Sequence, residues 1–269
     1  MNYRACAAAL TAAAVMAAGD ARAQAAQGLE LGLQSYGYTY EETFEGGGIE
    51  DEGRMTGFTV EYGRPVGRFS FDARFRYAQG EIDYKAGDGA RLNDVPQASG
   101  QLELLLGRPF PLSAGTTVTP YVGLGSRVLL DDSGGRVTAT GLEGYDREVS
   151  YAYVPLGAAT RSDLGGGRTL ALNGQVDWLV GGEVSSDFRR LGDGAPLVKT
   201  EFNEGYGLEL SATYFTPVRG ARIGFGPFLR YWDVDQSDSV VLTDEDGSIE
   251  LFEPPNTTWE VGLKLVVGF

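Results

Sequence analysis

The sequence predicts an all-β fold, a ten-stranded antiparallel up-and-down transmembrane β-barrel. Three observations carry that prediction. In the last eleven residues, Trp259, Val261, Leu263, Leu265, Val267 and Phe269 alternate with Glu260, Gly262, Lys264 and Gly268, the period of two that marks a strand with one apolar and one polar face. Ten amphipathic segments follow one another along the chain, joined alternately by short and long connections. After the N-terminal segment, no apolar run approaches the roughly 20 residues of a membrane helix. A chain of this kind can cross a bilayer only as a closed barrel, because every backbone polar group must be paired there.

Residues 1–23 read as a secretory signal. Arg4 supplies the basic start, residues 5–18 are apolar and rich in Ala, and Ala21, Arg22 and Ala23 form a small-x-small cleavage site. The barrel is expected over residues 24–269. Its first strand covers 29–41, with Leu29, Leu31 and Leu33 on one face. The phase slips at Ser35, so that Tyr36, Tyr38 and Tyr40 take over the alternation, as a bulge would allow. Strands at 55–63 and 68–84 follow, and the second is the clearest: Phe69, Phe71, Ala73, Phe75 and Tyr77 oppose Ser70, Asp72, Arg74 and Arg76. That pairing of faces suits a lipid-facing band around a polar lumen. Further strands are read at 99–107, 116–130, 146–160, 168–181, 205–216, 222–234 and 256–269. The long connections are 42–54, 85–98, 131–145, 182–204 and 235–255.

Pro120, Pro155 and Pro227 lie inside these segments, and each demands a bulge or a strand end. The segment around 149–160 assigns no clear outside face. Eight strands, with one hairpin miscounted, is the alternative.

The chain has 269 residues and a net charge of −15. Removing Arg4, Arg22 and Asp20 leaves 20 basic against 36 acidic side chains, a mature charge of −16. Nucleic acid is excluded as a partner, since phosphate binding needs a basic face. The sole cysteine, Cys6, lies in the signal, so the mature chain has no disulfide. Histidine is absent, which removes the commonest general base and imidazole metal ligand. Acids concentrate in the long connections and arginines in the short turns, among them Arg64, Arg108, Arg161 and Arg219. Both termini fall on the short-turn side, which in an outer-membrane barrel is the periplasmic one. Trp178, Trp232 and Trp259 are expected in an aromatic girdle near the outer ends of their strands.

Phasing each strand by its apolar face puts Glu61, Asp72, Glu103, Asp177, Glu209 and Glu260 in the lumen, with Arg74, Arg76, Arg127, Arg230 and Lys264. This near-balanced set reads as a pairing network that fills a narrow lumen, or as the lining of a narrow ion or small-solute conduit.

The closing strand with its terminal Phe269 resembles that of bacterial outer-membrane barrels, which implies an assembly signal read by the barrel assembly machinery. Ten strands, five long outer loops, PYVGL at 120–124, VSSD at 184–187, the stretch 206–217 and GLK at 262–264 resemble the omptin outer-membrane proteases. The resemblance implies an Asp–His pair on the fourth loop and an Asp pair on the second. Asp187 falls near the former Asp, and Glu81 and Asp83 lie roughly where the Asp pair belongs, but no histidine can complete the set. The expectation is a structural or surface-interaction barrel acting through acidic extracellular loops, without catalysis. The alternatives are a divergent omptin-like hydrolase using carboxylates alone and the conduit. No cofactor is expected beyond weak divalent-cation binding at acidic loops such as 244–247. Expected partners are outer-membrane lipids and lipopolysaccharide, around a monomer.

Overall fold

The computed structural model of the protein describes residues 28–44, 47–192, 195–244 and 247–269. The expected signal, residues 1–23, lies outside the described residues, as do Glu45, Gly46, Glu245 and Asp246. Ten antiparallel strands form a closed barrel. They are β1 (Gly28–Phe44), β2 (Gly47–Val66), β3 (Phe69–Ala86), β4 (Arg91–Gly107), β5 (Thr116–Asp132), β6 (Asp146–Gly165), β7 (Arg168–Asp187), β8 (Gly205–Val218), β9 (Ala221–Val234) and β10 (Asn256–Gly268). Each pairs with its sequence neighbours, and β1 pairs with β10 to close the ring, with Glu30 opposite Gly268 and Gln34 opposite Lys264. Phe110–Ser113 extends the partner surface of β5, and Leu197–Phe202 lies beside the far end of β7. Val240–Asp244 and Gly247–Leu251 make a separate hairpin.

Crossing a membrane takes about 9–11 residues of tilted strand. Strands β1 to β4 have 17 to 20 residues and so project well past the apolar band at one end, the loop end. This corrects two of the five expected long loops. Pairing runs on to Phe44 opposite Gly47 and to Lys85 opposite Arg91, so 42–54 and 85–98 are mostly strand. Acidic and glycine-rich composition suggested loops there. Charged residues are equally at home on the wet outer face of a strand that has left the lipid.

The same change of surroundings removes the expected slip at Ser35. Strand β1 keeps unbroken register with both neighbours. Leu29, Leu31, Leu33, Gly37 and Glu41 face out, whereas Glu30, Gln34, Tyr36, Tyr38, Tyr40 and Glu42 are buried inside. Phase is constant and polarity inverts. Inside the membrane, lipid takes the apolar side chains and the lumen takes the polar ones. Beyond it, water takes the polar ones and the lumen becomes an ordinary hydrophobic core. Two aromatic clusters fill it. One holds Tyr36, Tyr38, Tyr40, Met55, Ile82, Val95 and Phe228. The other holds Leu129, Tyr151, Tyr153, Leu179, Val184, Phe202 and Trp232.

Pro155 and Pro227 sit within strands without a bulge. Strands β5 and β6 pair at Val122 with Leu156 and again at Gly125 with Tyr153, in the same register. Strands β8 and β9 likewise pair at Ser211 with Phe228 and resume at Tyr214 with Phe225. One ladder opens for two residues where the proline has no N–H to donate, while the other side stays paired. Pro120 stands where β4 hands over to Phe110–Ser113, and its carbonyl accepts from Arg108 N at 3.0 Å. A bulge does occur in β7, between Leu179 and Gly181 opposite Ala152 and Tyr153.

At the turn end, Val218 pairs with Ala221 around Arg219 (φ 47°) and Gly220 (φ 86°). Positive φ at both central residues is what a two-residue hairpin turn needs to match strand twist.

Candidate functional site

The middle of the lumen is crossed by one alternating chain of arginines and glutamates, built from inward positions of seven strands. Arg76 on β3 reaches Glu209 on β8 through Nη1 at 2.6 Å and Nη2 at 3.2 Å. It also meets Glu103 on β4 at 3.3 Å. Arg74 stands 3.8 Å from Glu103 and 3.9 Å from Glu61. Arg230 on β9 lies 3.6 Å from Glu209 and 2.9 Å from Glu260 on β10, which Arg127 on β5 holds from the other side at 2.8 Å.

Neutral groups complete the network. Glu103 accepts from Gln175 at 2.7 Å, Tyr153 at 3.1 Å and Gln101 at 3.3 Å. Asp177 accepts from Gln175 at 2.7 Å, and Arg230 donates to Gln34 at 3.0 Å. Glu103, Arg127, Asp177 and Glu260 are all buried. Arg127 also lies 5.4 Å over Trp232, and Arg230 4.2 Å over Phe228. Ions taken from water survive only with such dense pairing.

Asp72, Lys264 and Glu61 line a cavity of about 80 Å³ on the turn side, together with Arg74, Tyr121 and Asn173. Below it, Glu30 pairs with Arg161 at 2.9 Å and with Arg222 at 3.5 Å.

A second polar cluster occupies the loop end. Arg147 on β6 donates to Glu42 at 2.9 Å and to Glu253 at 2.6 Å. The Tyr40 hydroxyl lies 2.7 Å from Glu42 and 3.1 Å from Glu253. Asp51 is 1% exposed. It lies past the outward polar residues Thr56, Arg54 and Glu52, beyond the lipid. Burial pushes its carboxyl up to about 7 against the pull of Arg147, with Asp131, Glu42 and Glu253 adding to the rise. Burial likewise raises Glu253, which Arg147 opposes. Sequence phasing missed this cluster, because it placed Glu42 and Glu253 in loops and turned Tyr40 outward. The lumen glutamines Gln34, Gln101 and Gln175 were passed over because only charges were counted, although their parity was readable.

The carboxylates considered for catalysis are not brought together. Glu81 and Asp83 are exposed on the outer face of β3, either side of buried Ile82. Asp83 accepts from Asp94 N at 3.1 Å. Asp187, at the end of β7, is gripped by Arg189 through two bonds of 2.7 Å; those bonds hold its carboxyl down at about 2. Strands β4, β5 and β6 stand between β3 and β7.

On the lipid side, Trp178 and Trp259 are 69% and 43% exposed, and Trp259 packs against Tyr231 with ring centroids 4.5 Å apart. Trp232 is not in this girdle. It is 2% exposed, inside the lumen beside Tyr151 and Tyr153. Phe269 is 65% exposed, and its N–H donates to Leu29 O at 3.0 Å across the closing seam. Gly28, at φ 101°, leaves room for its carbonyl, which a Cβ there would strike.

No protein-family model and no curated protein matches the sequence. Among solved structures, the outer membrane protease OmpT from Escherichia coli superposes with a TM-score of 0.60 at 9% identity, covering 90% of this chain and 97% of that one. The chain has the ten-stranded β-barrel fold of that outer-membrane protein. At 9% identity the likeness concerns the fold. The β domain of the Bordetella autotransporter BrkA (TM-score 0.38, 11% identity, 90% of this chain and 100% of that one) is a looser match. So is an outer membrane channel from Pseudomonas putida F1 (TM-score 0.37, 14% identity, 95% and 100%).

Proposed function

We propose that this barrel is a closed, non-catalytic scaffold that presents an interaction surface at its loop end. The observation that carries the reading is the filled lumen: Arg76, Glu103, Glu209, Arg230 and Glu260 bridge it at mid-height, and two aromatic clusters lie above them. A conduit needs an open path, and the packed side chains of both clusters occupy the lumen at this level.

The chain's acidity is concentrated where contact would occur. Beside it, Val241, Ile249 and Phe252 are exposed on and after the hairpin of Val240–Asp244 and Gly247–Leu251. Apolar side chains exposed on a hairpin that stands outside the barrel sheet suit a protein partner that adds a strand. In this reading the loop end faces outside, both termini are periplasmic, and the barrel works as a monomer among outer-membrane lipids and lipopolysaccharide. Phe269 is then the residue the assembly machinery reads.

Planar-bilayer recording of the purified protein tests closure. Silence is expected, and steady conductance steps would overturn the reading. Incubation with a peptide library tests the hydrolase alternative. No cleavage is expected, and cleavage lost in Asp83→Asn or Asp187→Asn would replace the scaffold with an enzyme.

A further inference from the structure

At the turn end, exposed arginines ring the barrel without carboxylate partners. Arg64 and Arg68 flank the β2–β3 turn, Arg108 opens the β4–β5 connection, Arg168 follows the β6–β7 turn and Arg219 lies in the β8–β9 turn. Every hairpin connection at this end therefore carries at least one. Across residues 64–68, 108–115, 161–168 and 217–222 the single acid is Asp163, and its carboxylate accepts from Gly165 N at 2.8 Å. Among the described residues, the ion pairs at this end are those of Arg161 and Arg222 with Glu30, inside the lumen. The rim arginines make none. Arg168 donates to Gly165 O at 3.0 Å, and Arg108 stacks 4.9 Å over Phe110. By contrast, Lys85, Arg189 and Lys199 at the loop end each hold a carboxylate, at 3.0, 2.7 and 2.7 Å.

Strand parity sets the direction of three of them. Arg64 follows Val60 and Tyr62 on the outer face of β2, Arg108 follows Leu104 and Leu106 of β4, and Arg168 precedes Leu170 and Leu172 of β7. Each stands where a lipid-facing row ends. Val66, Phe110, Leu112, Leu164 and Val218 are exposed beside them, Leu112 by 70%. An arginine in that position lays its stem along the hydrocarbon and lifts its guanidinium to the headgroup layer. The guanidinium fork matches the oxygens of a phosphodiester and stays charged at any physiological pH. The acidity of the whole chain does not cancel this charge. Strands β1 to β4, of 17 to 20 residues, separate the rim from the loop-end acids. That is roughly 50 Å along a strand, several Debye lengths at physiological salt.

We propose that this arginine rim binds the headgroups of anionic phospholipids, of the phosphatidylglycerol type, in the membrane leaflet at the turn end. The occupant is a lipid surface and not a soluble anion, because Arg64, Arg108 and Arg168 face outward beside side chains that need hydrocarbon. The arginines that point into the lumen already hold Glu30. The inference deepens the lipid partnership proposed above, and rests on its orientation only in calling this leaflet the periplasmic one. Each arginine near an anionic surface strengthens association by about fivefold, so a ring of them gives a clear preference from individually weak contacts. Because the ring includes every hairpin turn, held headgroups fix the turn end at one depth around the whole barrel.

The test uses the purified barrel in phosphatidylcholine vesicles carrying a trace of spin-labelled phosphatidylglycerol or spin-labelled phosphatidylcholine. The expected result is a preference of the protein for the phosphatidylglycerol probe of about threefold or more at low salt, which fades in high salt. Arg64→Gln, Arg108→Gln and Arg168→Gln combined should remove most of it, and Lys at the same three positions should keep part. If the triple variant inserts poorly, the three single variants replace it, each with a partial loss. Arg54→Gln, on the outer face at the loop end, should change nothing. No preference in the unaltered barrel, a preference that survives the Gln variants, or one that falls with Arg54→Gln alone would overturn the proposal. Displacement of the lipid probe by millimolar glycerophosphate would assign the rim to a soluble anion instead. Insertion into pure phosphatidylcholine, read from the heat-modifiable band, and labelling of Ser248→Cys on intact cells test the membrane reading and the orientation separately. Failure of either is thereby distinguished from failure of lipid binding.

Discussion

Arg76 and Glu209, 133 residues apart in sequence, join opposite walls of the barrel through two hydrogen bonds of 2.6 and 3.2 Å. This fork is the central link of the lumen chain, because each partner also contacts a further ion. Breaking a buried pair from one side leaves an uncompensated charge and costs about 3–5 kcal/mol, whereas replacing both ions with apolar side chains is often close to neutral. Arg76→Met and Glu209→Met should each lower stability by about that amount, and the double variant should recover most of it. Urea unfolding from lipid vesicles measures the coupling. Independent, additive losses would mean that the fork does not hold the lumen together.

Trp232 and Trp178 separate core from girdle. Trp232 is buried against Tyr151, Tyr153 and Arg127, whereas Trp178 lies outside. Trp232→Ala should cost about 3–5 kcal/mol, as truncation of a buried aromatic does. Trp178→Ala should cost about 1 kcal/mol or less, since lipid fills the gap left by an exposed side chain. Equal losses in the same unfolding assay would contradict the placement of Trp232.

Asp51 makes stability depend on pH. Its folded carboxyl is raised to about 7, whereas an unfolded Asp titrates near 4. Between those values the folded protein holds a proton that the unfolded chain has lost, so stability falls as pH rises from about 4 to 7. Asp51→Asn should flatten that slope and raise stability at pH 8 by an amount on the order of 4 kcal/mol. Urea midpoints in EDTA from pH 4.5 to 8 provide the comparison, and parallel curves for the two proteins would remove Asp51 as the cause.

The closing seam yields a contrast between assembly and stability. A side chain at Gly28 would strike the Phe269 carbonyl, and the backbone there has φ 101°. Gly28→Val should therefore slow closure and lower the heat-modifiable folded band on gels. Phe269→Ser keeps the backbone bond to Leu29, so its folded fraction in detergent should hold while its level in the outer membrane drops. Normal membrane levels of that variant would count against Phe269 as an assembly signal.

Much of this was legible in the chain itself. Strict parity in β3 and β10 identifies lipid and lumen faces, because side chains alternate at every residue regardless of context. The even number of segments and the alternation of short and long connections specify an up-and-down barrel. The parity that places Arg230 inside also places Trp232 inside, and only a rule about where tryptophans sit in membranes pointed the other way.

Sequence alone determined the barrel architecture, the lipid and lumen faces of clearly alternating strands such as β3 and β10, and the absence of histidine, since all three follow from local alternation and composition. Tertiary structure decided where the membrane ends along each strand, and hence that Tyr36, Tyr38 and Tyr40 invert the polarity of β1 without a change of register. It also decided which charges meet. Alternation says that Arg76 and Glu209 point inward, but pairing across the lumen depends on barrel closure and stagger, which no single strand encodes.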